Sequence, residues 1–159
     1  MAKTIKPIPE GFRTITPHIS VNGAAKYLDF LKQAFGAVEL GRMAGPDGRL
    51  MHAEVRIGDS ILMLNDDFPE YAGSPIAEGR WPFNLHIYVP DADAAFKRAT
   101  EAGCQVTMPL DNQFWGDRYG LVRDPFGFSW GIATHVEEPT AEEMEARMKA
   151  MFGGAGKGA

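Results

Sequence analysis

The segment "HISV" at 18–21 returns as "HIYV" at 86–89, and the offset of 68 residues from His18 to His86 constrains the fold of this chain more than any other feature. The same offset carries Ala24 onto Ala92 and Ala34 onto Ala102, so a whole unit repeats. Two copies are too few for a solenoid, which needs about three or more stacked units. The repeat therefore predicts two related modules.

Periodicity within each copy says what the module contains. Residues 14–21, "TITPHISV", alternate, with Ile15, Pro17, Ile19 and Val21 on one side and Thr14, Thr16, His18 and Ser20 on the other, as a half-buried strand requires. Pro17 lacks an N–H for a ladder, which places it at a sheet edge or a strand start. From Gly23 the period turns helical: Tyr27, Leu28, Leu31, Ala34 and Phe35 form one stripe, and Gly36 is placed to end it. Residues 83–89 repeat the strand, with Phe83, Leu85, Ile87 and Val89 opposed to Asn84, His86 and Tyr88. Asp91 follows as an N-cap, Ala92, Ala95, Phe96 and Ala99 as the stripe, and Gly103 as the stop. "EVRIGDSILML" at 54–64 and "LVRDPFGFSWGI" at 121–132 each predict strand, turn, strand, and "PDGR" at 46–49 a further turn. Each copy is thus strand, helix and about three strands.

The chain divides on this basis into a leader at 1–13, a first βαβββ module at 14–66, a connection at 67–82, a second module at 83–135, and a C-terminal helix and flexible tail at 136–159. The connection is long for a compact fold; it is either a linker or a lid that turns Phe68, Tyr71 and Trp81 inward. In the C-terminal stretch Thr140 and Glu143 have capping-box spacing, and Met144, Met148, Met151 and Phe152 make one stripe suited to a groove or a dimer partner. The final "GGAGKGA" lacks the strand, helix and hydroxyl residue of a phosphate loop.

At 159 residues and 45% hydrophobic, the composition is that of a soluble globular protein. The formal charge of -5 disfavours nucleic acid as a partner, and no apolar run approaches the roughly 20 residues that span a bilayer. A single cysteine, Cys104, and no apolar export segment point to the cytoplasm. A small molecule is the expected partner. If each helix covers the apolar side of its own sheet, the other two sides form a common trough that His18 and His86 face.

Three segments carry a family resemblance: "ITPHISVNGAAKYLDFLKQAFGA" at 15–37, "DGRLMHAEVRIGDSILMLND" at 47–66 and "NQFWGDRYGLVRDPFGFSWGIATH" at 112–135. Over roughly residues 12–152 the sequence resembles the vicinal oxygen chelate superfamily, which includes glyoxalase I, bleomycin-resistance proteins and extradiol dioxygenases, and within it the PhnB-like branch. The resemblance implies an α+β fold of paired βαβββ modules, a curled mixed sheet around a cleft, and a homodimer. In metal-bearing members, His, Gln or Glu on the first and last strands of each module hold a divalent ion. Alignment with them places Thr16, Leu64, Asn84 and Gly131 at those positions, and none is a strong ligand.

The expected site is a cleft lined by His18, His52, His86, Trp115, Arg118 and Tyr119, without a metal or other cofactor. Trp115 and Tyr119 would cover an apolar compound while the Arg118 fork holds an oxygen; alternatively, Arg118 pairs with Asp117 or Asp124 and Trp115 closes the end of the sheet. Glu54 and Arg56 share the polar face of their strand with His52. Two functions follow from the resemblance, a metal-free binding protein for an apolar oxygen-containing compound, or a metal-dependent lyase, isomerase or dioxygenase with a site rebuilt around His18, His86 and His52. A methyltransferase role finds no glycine-rich loop for a nucleoside cofactor and ranks last.

Overall fold

Thr16 closes a turn by donating its hydroxyl to the Arg13 carbonyl at 2.9 Å, so the strand expected over 14–21 begins only at His18. This is strand β1, His18–Val21, and Pro17 stands just before it, where no ladder N–H is needed. Gly23, with φ of 83°, then turns the chain into helix α1, Ala24–Phe35, which Gly36 ends at φ of 64°. Strands β2 (Val38–Ala44), β3 (Leu50–Ile57) and β4 (Ser60–Asp66) complete the sheet in the order β1-β4-β3-β2, with β1 parallel to β4 and the other pairs antiparallel.

The structure, a computed structural model, describes residues 6–72, 75–77, 81 and 83–153. The chain separates into two units, 1–79 and 80–159. In the second, strand β5 (Asn84–Tyr88) leads to helix α3 (Ala92–Glu101) and then to β6 (Gln105–Asn112), β7 (Asp117–Arg123) and β8 (Ser129–His135), ordered β5-β8-β7-β6. Asp91 caps α3 as expected, accepting from the Ala94 N–H at 3.0 Å. The Asp124–Gly127 turn closes with Gly127 N–H donating to the Asp124 carbonyl at 3.1 Å. Both units are therefore βαβββ, and the α+β prediction holds as two separate four-stranded mixed sheets.

In the first unit the expected helical stripe is the core. Tyr27, Leu28 and Leu31 are fully buried, as are Val55 and Leu64 of the sheet, each side chain contributing about 1.5–3 kcal/mol on burial. The second unit buries Ala92, Ala99, Val122, Trp130 and Ile132 in the same way. Gly120 lets Phe96 close on β7, since a Cβ there would lie 2.7 Å from the Phe96 ring.

The starts of α1 and α3 are each tied to the last strand of their own unit. No side chain at Gly23 caps α1; Asp66 does so from β4, its Oδ1 accepting from Gly23 and Ala24 N–H at 3.0 and 2.9 Å while Oδ2 takes the Leu50 N–H at 2.6 Å. Thr134, at the equivalent position of β8, accepts the Ala92 N–H at 2.8 Å and donates to the Val89 carbonyl at 2.7 Å.

The connection between the modules is not wholly irregular, because Pro69–Ala72 forms the short helix α2. Of the aromatics expected to form its inner face, Phe68 and Tyr71 are in tilted ring contact at 6.2 Å. Phe68 lies under the Arg49 guanidinium, 4.2 Å from the ring centre, Tyr71 is exposed, and Trp81 stacks on Phe128 in the second unit. Helix α4, Ala141–Gly153, starts with the expected box: Thr140 N–H donates to Glu143 Oε2 at 2.8 Å and Glu143 N–H to Thr140 Oγ1 at 3.2 Å. Met148 and Met151 are exposed on it. The side chain of Phe152 and the tail at 154–159 lie outside the described residues.

Candidate functional site

In each unit one sheet face carries no helix among the described residues, and the pleat decides what stands there. In the first unit, His18 on β1 is level with Met63 on β4, and Met63 is level with Glu54 on β3; one step along, Ser20 meets Asn65. His52 stands on the same face, its ring 5.8 Å from that of His18 in an edge contact and its Nε2 2.9 Å from Glu54 Oε1. His18 is exposed and His52 half-buried.

In the second unit the floor is made of small residues. His86 is level with Gly131, and Tyr88 and Tyr119 both flank Ala133. The His86 and Tyr119 rings stack at 5.4 Å and 17° across Gly131, where an added Cβ would come within 2.9 Å of each ring. His86 also contacts Tyr88 at 4.8 Å, and Trp115 meets Tyr119 edge-on at 5.7 Å. Burial pushes the Tyr119 phenol above its ordinary range.

Beyond these rings lies a polar group that the sequence did not single out. Asp117, 3% exposed, accepts from Tyr88 Oη at 2.9 Å, from Trp115 Nε1 at 3.0 Å and from His135 Nδ1 at 2.8 Å. Burial opposes its charge, but hydrogen bonds from His135, Tyr88 and Trp115 outweigh that and keep its pKa low. Alternation along β8 already put His135 on the side of Gly131; nothing in the sequence marked Asp117 as buried.

The structure thus brings His18 and His52 together on one face, and His86, Tyr119 and Trp115 on another. Arg118 is not with them. It alternates with Asp117 and Tyr119 on β7 and points to the helix side, donating to both carboxylate oxygens of Asp93 at 2.7 Å and to Asn112 at 3.3 Å. Its partner is therefore neither Asp117 nor Asp124. Asp124 instead holds its own turn, with Oδ2 accepting from Trp130 Nε1 at 2.9 Å.

Two of the aligned ligand positions also move. Thr16 precedes the strand, and Leu64 is fully buried on the helix side. The ladder shows why: His86 pairs with Gly131 but His18 pairs with Met63, so the counterpart of Gly131 is Met63, one residue before Leu64. A thioether and a glycine thus stand beside the two histidines. Among the described residues no three His, Cys, Asp or Glu side chains gather as a metal site.

A model of the Glyoxalase/Bleomycin resistance protein/Dioxygenase superfamily matches residues 13–132. The uncharacterised protein Mb0911c of Mycobacterium bovis is 45% identical over 144 residues, covering 88% of this chain and 95% of its own length. Among solved structures, TioX from Micromonospora sp. is 28% identical with a TM-score of 0.59, covering 77% of this chain and 99% of its own. PA1353 from Pseudomonas aeruginosa is 25% identical with a TM-score of 0.64, covering 77% and 98%.

Proposed function

The chain belongs to the glyoxalase/bleomycin resistance protein/dioxygenase superfamily, and from that premise we propose that it is a metal-free small-molecule-binding protein of the PhnB-like branch. Its ligand is a flat, largely apolar, oxygen-bearing compound. The observation that carries this is the ring pair of His86 and Tyr119 closed over Gly131. A glycine floor under two stacked rings gives an apolar surface with polar edges, the composition of a small-molecule site. Tyr88 and Trp115 extend the wall, and Leu121 stands beside Gly131 in the ladder.

Homodimerisation and a cytoplasmic setting belong to the same proposal. Exposed Met148 and Met151 on α4 supply an adaptable apolar stripe for a second copy. Cys104 is buried, and burial followed by the nearby Asp124 charge pushes its thiol up to about 12, which disfavours the reactive thiolate at neutral pH. No helix among the described residues is long and apolar enough to cross a membrane.

The test is a thermal-shift screen with flat oxygenated aromatic compounds, followed by titration of the best ligand into the wild type, His86→Phe and His18→Phe. Altered affinity in His86→Phe with a nearly unchanged melting temperature supports the reading. No ligand effect at all, or a stability loss in His86→Phe with affinity intact, overturns it.

A further inference from the structure

His135 sits at the end of the aromatic run formed by His86, Tyr88, Tyr119 and Trp115, and both of its ring nitrogens face carboxylates. Nδ1 lies 2.8 Å from Asp117 Oδ1 and Nε2 2.9 Å from Glu138 Oε2, both at hydrogen-bond distance. The two carboxylates differ. Asp117 is 3% exposed with both oxygens engaged, one by His135 and the other by Tyr88 and Trp115. Glu138 has a side chain 91% exposed, and among the described residues it pairs with His135. Asp117 therefore fixes the ring, and Glu138 is a solvated, replaceable occupant of its outer nitrogen.

From this geometry we propose that Nε2 of His135 is a docking point for the carboxylate of a small aromatic acid, and that Glu138 occupies it as an internal mimic until the ligand arrives. The inference rests on the binding role assigned above to this face and names the ligand class. The hydroxyl of Tyr88 and the indole N–H of Trp115 are spent on Asp117, so these side chains offer a ligand their rings. An aromatic acid carries both parts, a ring of the kind these side chains receive and a carboxylate for the outer nitrogen of His135. Hydrogen bonding to the Asp117 and then the Glu138 carboxylate, with their charges, raises the His135 pKa above its ordinary value of 6.5, consistent with a cation at that point.

The backbone holds Glu138 in place for this role. Val136 and Glu137 N–H both donate to the Gly116 carbonyl at 3.0 Å. A Cβ on Gly116 would stand 2.1 Å from the Glu137 carbonyl oxygen, so only glycine lets the segment lie so close. Arg147 of α4 grips the Glu137 carboxylate through both of its oxygens, leaving Glu138 to face His135.

Calorimetric titration of the full chain with benzoate and with its neutral counterpart benzamide tests the proposal. Wild type should favour benzoate by about tenfold, the scale of one charge-assisted hydrogen bond in water. Glu138→Gln should tighten benzoate severalfold and leave benzamide unchanged, while His135→Gln should erase the preference; melting curves establish that each variant is folded. If His135→Gln does not fold, the response of the exposed Glu138→Gln decides alone. Equal binding of the two probes, or a preference that survives His135→Gln, overturns the carboxylate site but leaves the aromatic wall standing. Binding of neither probe to wild type or Glu138→Gln overturns both.

Discussion

The imidazole of His135, about half exposed, is hydrogen bonded through Nδ1 to the almost wholly buried carboxylate of Asp117 over 2.8 Å. This ties the last strand of the second unit to its neighbour and makes stability depend on pH. The groups facing the ring are Asp117 from β7 and Glu138 from the following segment, with Tyr88 of β5 on the far side of Asp117. Because folding raises the pKa of His135 above its ordinary 6.5, its stabilisation is fully present below that value and is lost as pH rises through the folded pKa. Urea midpoints measured between about pH 6 and 9 should fall for wild type and stay flat for His135→Gln. A parallel decline in both would assign the trend to other groups.

Asp66 should matter more to stability than any surface charge of the first unit. It satisfies the Gly23, Ala24 and Leu50 N–H groups at once. Asp66→Ala strands these donors and removes the cap of α1, at a cost of about 2–4 kcal/mol. Asp66→Asn keeps an acceptor and should lose less. Chemical denaturation of both variants checks the order, and an Asp66→Ala loss below that of Asp66→Asn would contradict it.

Two glycines should respond differently to alanine. At Gly131 the new methyl meets ring atoms of the exposed His86 and the half-buried Tyr119, side chains rather than backbone. Gly131→Ala should therefore cost no more than about 1–3 kcal/mol while spreading the wall and weakening aromatic ligands. Gly116→Ala meets backbone and must hold φ near 100°, so it should detach residues 136–139 and lower the melting temperature far more. The comparison needs only melting curves and one titration.

Protein purified without a histidine tag should carry divalent metal well below one ion per chain. The specific alternative is an ion recruited by His18, His52 and Glu54, because the two rings lie 5.8 Å apart and Glu54 is bonded to His52. Elemental analysis of wild type and His18→Ala separates these cases. A stoichiometric metal that disappears with His18→Ala would refute the metal-free proposal.

The chain's duplication, its two helical stripes, the Asp91 cap, the Thr140–Glu143 box and the Asp124–Gly127 turn were all legible in the sequence. Each depends on residues close along the chain, where the helix or strand period and local hydrogen bonds decide the outcome. Alternation also assigned His18, His52 and His86 to helix-free faces, since a strand's neighbours alternate whatever its partners. What the sequence left open depended on register and on contacts between distant segments. Leu64 and Met63 exchange faces with a one-residue shift, and only the pairing of β1 with β4 decides which stands beside His18. Arg118 took Asp93 on α3, and Asp117 gathered Tyr88 and His135 beside its near neighbour Trp115, because packing a helix and four strands brought these groups within 3.0 Å. A buried carboxylate must find donors wherever the fold provides them, and the chain order does not say where that is.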